Sequence, residues 1–409
     1  MIYKFNINKS INLLLSQVVY SGKSFLIAFV LARYFDKVAF GIFSFAMIGL
    51  NNYLALLTGL VYEPLAILKN EVKSGYCNVV TYLFRKQWQL NLILCLLLFS
   101  LLLFNISGLT AKRITLIFIL FVLSQLHEFF KRVQLGQLDT KVALAYDLAV
   151  TVFQVGFLAL YFLMKKVDLD NVFIALSLGC VPTILFGLIK HPEVFAPHKA
   201  IKDIFARSYY KYVKPNFMFF IVGFASNQFN NFAIFMFLGS SNLANCEAVR
   251  LTIIPLHITI LAMGNILIPY FSKNLAVYGK EETVIKFRHV LSLSLVIFGI
   301  FALFMLASGP ALLTYFYGAK YQNQLILLVI YTFIYVFDGL TIILISFMKS
   351  LGLINEGLRR RFIVAILNII LVFPLLHYYK EAGGLFSMMV SSAIMVVMYF
   401  KILRNRKLV

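Results

Sequence analysis

Runs of apolar residues follow one another along almost the whole chain, separated by short polar stretches. Each run is long enough to cross a hydrocarbon core of about 30 Å, which an α-helix spans in about 20 residues. Lipid offers an open backbone no hydrogen-bond partner, so such runs are read as helices. The pattern predicts spans near 11–33, 40–67, 82–105, 114–133, 142–164, 171–189, 209–238, 243–270, 287–308, 323–348, 361–378 and 383–403. The first run lacks a small-residue cleavage site and contains Lys23, which marks it as a retained helix rather than a signal peptide.

Polar punctuation also divides the chain. The longest polar stretch runs from Lys190 to Arg207, contains Pro192 and Pro197, and falls almost at mid-chain. Residues 1–189 are expected to form an N-terminal six-helix lobe, 190–208 a cytoplasmic linker, and 209–409 a C-terminal six-helix lobe. The fold class expected is all-α: a polytopic membrane protein of about 12 transmembrane helices in two six-helix lobes around a central cavity. Two equal halves joined by one linker are the layout of transporters built from parallel repeats, whose sites lie where the repeats meet. The remaining loops are too short to hold a separate catalytic domain.

Composition agrees: 61% of residues are hydrophobic, 13% are charged, and the mean hydropathy is +0.89, so lipid is the main solvent. A net charge of +21 would suggest nucleic acid in a soluble protein, but these basic residues are dispersed between spans. One alternate set of loops and span edges holds 27 Lys and Arg and the other set holds 8, and the positive-inside rule therefore makes both termini cytoplasmic. Cys77, Cys95, Cys180 and Cys246 form no CxxC pair, which argues against a zinc site or disulfide framework and for packing roles. Phosphate-gripping and nucleophile motifs such as GxxxxGK[ST], GxSxG and HExxH are absent, so transport is expected rather than catalysis, without a cofactor or metal.

Polar residues inside the spans are the candidates for chemistry. Lys23 lies near the middle of the first span, where a charge costs at least about 2.5 kcal/mol. It either faces a water-filled pathway or neutralises itself against a carboxylate such as Asp338. Arg250 suits bidentate phosphate binding, but Glu247 lies three residues earlier on the same helical face and offers it a local ion pair. Asp338, His127 and Asp147 are candidates for ion coupling, while Glu128 and Asp147 flank the loop between spans four and five. Gln17, Asn51, Asn227, Asn230 and Asn231 are candidates for sugar contact, or for interhelical bonds, since an amide in lipid needs a partner.

The sequence resembles the polysaccharide (O-antigen repeat-unit) flippases of the multidrug/oligosaccharidyl-lipid/polysaccharide exporter superfamily. The resemblance is carried by Leu31-Ala32-Arg33-Tyr34-Phe35 and Phe40-Gly41-Ile42-Phe43-Ser44, then Gly59-Leu60 with Glu63-Pro64. Phe237-Leu238-Gly239, Ala248-Val249-Arg250-Leu251, Ile268-Pro269, Gly318-Ala319-Lys320-Tyr321 and Lys349-Ser350-Leu351-Gly352 continue it in the second half. Asn245 and Glu247 stand where that family usually has Gly and Tyr. The resemblance implies a flippase of the bacterial inner membrane, serving lipopolysaccharide biosynthesis, that moves undecaprenyl-diphosphate-linked glycan outward by alternating access. Its partners would be that glycan, membrane lipids and a polysaccharide polymerase, with Lys23 and Arg250 holding the diphosphate. The alternatives are a polymerase or O-antigen ligase, for which the outer loops are short, and a drug exporter of the same superfamily, for which carboxylates rather than bases are expected. A lipid II flippase is a closer rival and would be expected to carry further helices.

Overall fold

The computed structural model describes residues 7–65, 76–104, 108–137, 139–195, 203–406 and 408. Residues 196–202 of the predicted linker lie outside them. Among the described residues the chain is 93% helix without a strand, with about 10–12 helices of membrane length, as the apolar runs predict.

In chain order the helices are α1 (Ile7–Tyr34), α2 (Lys37–Leu57), α3 (Tyr76–Ser100), α4 (Ala111–Gly136), α5 (Thr140–Leu163), α6 (Leu169–Leu178) and α7 (Val181–Lys190). There follow α8 (Asp203–Asn227), α9 (Phe229–Leu238), α10 (Ser240–Tyr317), α11 (Leu325–Ser350) and α12 (Ile354–Asn405). Short polar residues start several of them. Asp36 accepts from the Ala39 amide at 2.7 Å, Thr110 from Arg113, Asp139 from Val142, and Asp168 from Asn171. Each satisfies an amide that the first turn of a helix leaves without a partner.

Two helices are far longer than one crossing needs. α10 has 78 residues and α12 has 52, each interrupted at one residue with positive φ, Gly279 and Lys380. Each is thus two arms meeting at a sharp corner. The sequence pattern places a loop at 271–286, but both arms of α10 stay helical through this charged stretch up to Gly279. Span seven, read as unbroken over 209–238, is α8 and α9 separated at Gln228.

The chain divides into two compact units, one of residues 1–30 and 46–220, the other of 31–45 and 221–409. In the first, Phe84, Phe129 and Phe130 pack edge to face or tilted in the core, while Leu92 and Leu96 of α3 are exposed on an apolar face suited to lipid. The end of α2 widens into a π-helical turn over Thr58–Tyr62. Such a turn displaces carbonyls from the regular ladder. The Tyr209 hydroxyl donates to Leu60 O at 3.0 Å, and the Asn216 amide to Gly59 O at 3.3 Å and Glu63 at 2.6 Å.

In the second unit Phe45 stacks on Phe235 with centroids 3.8 Å apart, and Phe287 on Phe347 at 4.1 Å. Gly41 is required there, because a Cβ would lie 1.9 Å from Ser240 O at the start of α10. Lys320 donates to the carbonyl of Arg33 at 3.1 Å and to that of Phe35, clasping the end of α1, and burial pushes its ammonium below the usual lysine range. Turn chemistry recurs in the two halves of the sequence. Gly108 and Gly318 take positive φ after the third and ninth spans, and Lys165 and Lys380, both at φ 53°, do so after the fifth and eleventh.

Candidate functional site

Helical spacing gathers the polar residues of the first unit. On α1, Asn12, Ser16, Tyr20 and Lys23 lie three or four apart on one face, and on α5, Thr140, Asp147 and Gln154 are spaced by two turns. The two faces meet in parallel register. Asn12 bonds Thr140 at 3.4 Å, Ser16 donates to Asp147, and the Lys23 ammonium donates to Gln154 Oε1 at 2.8 Å. Gln154 is itself fixed, its Nε2 donating to Leu176 O at 2.7 Å. Gly179 permits that approach, since a Cβ there would lie 2.3 Å from the Gln154 side chain.

α4 supplies the rest. Lys131 lies 2.8 Å from Glu128 and 3.1 Å from Asp147, and Arg132 lies 2.7 Å from Glu128. Both lysine ammoniums flank the Tyr20 ring, Lys23 at 4.6 Å and Lys131 at 5.3 Å from its centroid. His127 Nδ1 is 3.0 Å from Thr183 Oγ1, whose hydroxyl donates to Cys180 O. Thr183 therefore accepts from Nδ1–H, and Nε2 faces Asp147 Oδ1 across 3.7 Å. A proton added at Nε2 would point at that carboxylate. His127 and Asp147 thus face each other inside the network just beyond hydrogen-bonding distance.

The charges of the cluster do not balance. Lys23, Lys131 and Arg132 stand against Glu128 and Asp147, so with His127 neutral one positive charge is left over. Lys23 is that charge. It is only 8% exposed, and among the described residues it makes no ion pair. Its ammonium is held instead by an amide carbonyl, Gln154 Oε1.

The second unit distributes its polar residues differently. Arg250 grips Glu247 through both Nε and Nη2 at 2.6–2.9 Å, the local ion pair that their spacing allows. Asp338 accepts from Ser392 at 3.0 Å. Asn230 is fully buried and donates to Gly384 O and Ser387 at 2.6 Å, while Asn368 donates to Asn230 Oδ1 at 2.6 Å and to Ala225 O at 2.9 Å. These bonds tie α9 to both arms of α12 and spend Asn230's polar groups on packing. Asn227 turns its oxygen to the Arg361 guanidinium at 3.1 Å, and Asn231 donates to Gln228 at 3.4 Å.

Of the predicted site residues, the structure gathers Lys23, His127 and Asp147 in one network, with Arg250, Asp338, Asn227, Asn230 and Asn231 in the other unit. Gln17 and Asn51 are exposed on their helices. Asp147 and Glu128, on either side of the connection between α4 and α5, are buried members of the network. Sequence reasoning passed over Ser16, Tyr20, Lys131, Arg132, Gln154 and Gly179. The available signal was Gln154, a single amide in an otherwise apolar stretch of α5.

This fold is that of transporters of the MOP superfamily. An inward-facing multidrug-resistance transporter of its MATE family matches with a TM-score of 0.72 at 13% identity, over 97% of this chain and 98% of that one. The lipid II flippase MurJ, in an inward closed conformation, matches with a TM-score of 0.71 at 16% identity, over 98% of this chain and 88% of that one. A MOP-superfamily transporter from Pyrococcus furiosus, noted for a binding pocket of reversed polarity, matches with a TM-score of 0.62 at 13% identity, over 97% of this chain and 94% of that one. No protein-family model matches the chain, and no curated protein matches its sequence.

Proposed function

We propose that this protein is a flippase for undecaprenyl-diphosphate-linked oligosaccharide, an O-antigen or similar surface-polysaccharide repeat unit, which it moves from the cytoplasmic to the periplasmic leaflet by alternating access. The observation that carries the reading is Lys23, a buried mid-span cation with no carboxylate partner among the described residues. A diphosphate crossing hydrocarbon needs such a charge, and a drug or cation exporter needs the opposite one. The fold shared with a lipid II flippase supports a lipid-linked substrate. Arg250, matched by Glu247, takes the diphosphate only by exchanging that partner. The exposed amides Gln17 and Asn51 are available to sugar hydroxyls, and His127–Asp147 or Asp338 carries the coupling ion. The protein sits in the inner membrane with both termini cytoplasmic, passing its product to a polymerase.

Deletion in the host, complemented by wild type or Lys23→Ala at matched membrane levels, tests this. Trapped single repeat units on the cytoplasmic leaflet, cleared by wild type alone, are the expected result. Units that reach the outer leaflet but stay unpolymerised or unligated would instead identify a membrane enzyme.

A further inference from the structure

The end of α12 carries a feature that the flippase reading leaves unused. Its two arms run back to back, so that Ile354 and Asn405 lie at the same end: Arg406 pairs with Glu356, and the Tyr399 hydroxyl donates to Gly357 O at 3.4 Å. Residues 354–361 and 399–406 together bring Arg359, Arg360, Arg361, Lys401, Arg404 and Arg406 against Glu356 as the one acid. Arg406 neutralises Glu356, and Arg361 turns to Asn227. Arg359 and Arg360 remain exposed and, among the described residues, without a carboxylate partner. With Glu356 and Ile363 they line a cleft of about 430 Å³.

What lies below the cleft indicates its occupant. Positions 359, 363, 366, 370 and 373 fall within roughly 80° of arc on a helix of 3.6 residues per turn. Ile363, Ile366, Ile370 and Phe373 are exposed at 44%, 45%, 62% and 43%, whereas Val364, Ala365, Val372 and Leu376 on the opposite side are buried. Arg359 therefore stands at the head of an apolar track about 20 Å long that faces away from the core, and Arg360 joins it in lining the cleft at that end. A free phosphate would use only the cleft, while a lipid uses both parts.

We propose that the Arg359–Arg360 cleft binds the phosphate headgroup of an anionic phospholipid of the surrounding bilayer, whose acyl chain lies along Ile363, Ile366 and Ile370. Guanidiniums at a membrane interface fit a phosphodiester by charge and by fork geometry.

The full chain has one tryptophan, Trp88, which permits a direct test. In a Trp88→Phe/Ile366→Trp background reconstituted in phosphatidylcholine, fluorescence is titrated with acyl-brominated phosphatidylglycerol or acyl-brominated phosphatidylcholine. Quenching should favour the anionic lipid by about thirty-fold, from about 1 kcal/mol for each of the two basic residues at the surface. The preference should fall to about unity in Arg359→Gln/Arg360→Gln. It should persist in Lys280→Gln/Arg288→Gln, which removes the same charge elsewhere, and under excess inorganic phosphate. Equal quenching by the two lipids, a preference surviving the arginine changes, loss in the charge-matched variant, or displacement by inorganic phosphate would each overturn the site. None of these readouts depends on transport, so they stand apart from the flippase reading.

Discussion

Replacing Asp147 by Asn keeps the shape of the side chain and removes its charge. Asp147 is 1% exposed and lies 3.1 Å from the Lys131 ammonium, itself 10% exposed. Removing one partner of a buried pair costs about 3–5 kcal/mol, because the other charge is left without compensation. Here Lys131 keeps Glu128 at 2.8 Å, but Arg132 shares that carboxylate at 2.7 Å. The cost should therefore lie at the low end, about 3 kcal/mol. An ordinary interhelical hydrogen bond in a membrane contributes only about 0.6 kcal/mol, so the magnitude separates the two descriptions. Lys131→Met should cost a similar amount. The double variant removes both charges and should fall short of the sum by about 2 kcal/mol. Equilibrium unfolding in mixed micelles, followed by circular dichroism, measures all four corners of the cycle. Single variants within about 0.5 kcal/mol of wild type, or strictly additive losses, would refute the buried ionic network.

Gly179→Ala drives a Cβ into Gln154, which holds Lys23; transport should fall well below wild type while membrane levels stay near normal, measured by complementation and immunoblot. Asn230→Leu removes bonds to Gly384 O, Ser387 and Asn368 and should lower stability by about 2 kcal/mol, at about 0.6 kcal/mol for each bond lost, in the same micellar unfolding assay. Lys165 sits in the left-handed region at φ 53°, so Lys165→Gly should raise stability by about 1 kcal/mol, since only glycine occupies that region without steric cost.

The apolar runs reveal most spans because hydropathy reports the solvent around a segment. It does not report whether a polar segment outside the bilayer is helical, so the helical corner around Gly279 reads as a loop. The break at Gln228 escapes for a related reason: Asn227 to Asn231 look like polar decoration of one helix, and only their tertiary partners set the two axes apart. The charged network is half legible. Lys23 stands out in an apolar run, and Glu128, Lys131 and Arg132 are spaced to pair within α4. That Asp147 joins them, and that Lys23 meets the Gln154 amide, depends on the parallel register of α1 against α5, which local spacing does not encode. Arg250 with Glu247 was readable because both partners lie within one turn.

Transbilayer movement in vesicles tests the central claim most directly. The purified protein would be reconstituted with a fluorescent polyprenyl-diphosphate disaccharide, and label protected from an external lectin would be counted over time. Wild type should equilibrate the two leaflets, Lys23→Ala should stay at the rate of empty vesicles, and Lys23→Arg should retain part of the activity because the cation remains. Equal rates for wild type and Lys23→Ala, or wild-type rates no faster than empty vesicles, would contradict a flippase that uses this buried cation to carry a lipid diphosphate.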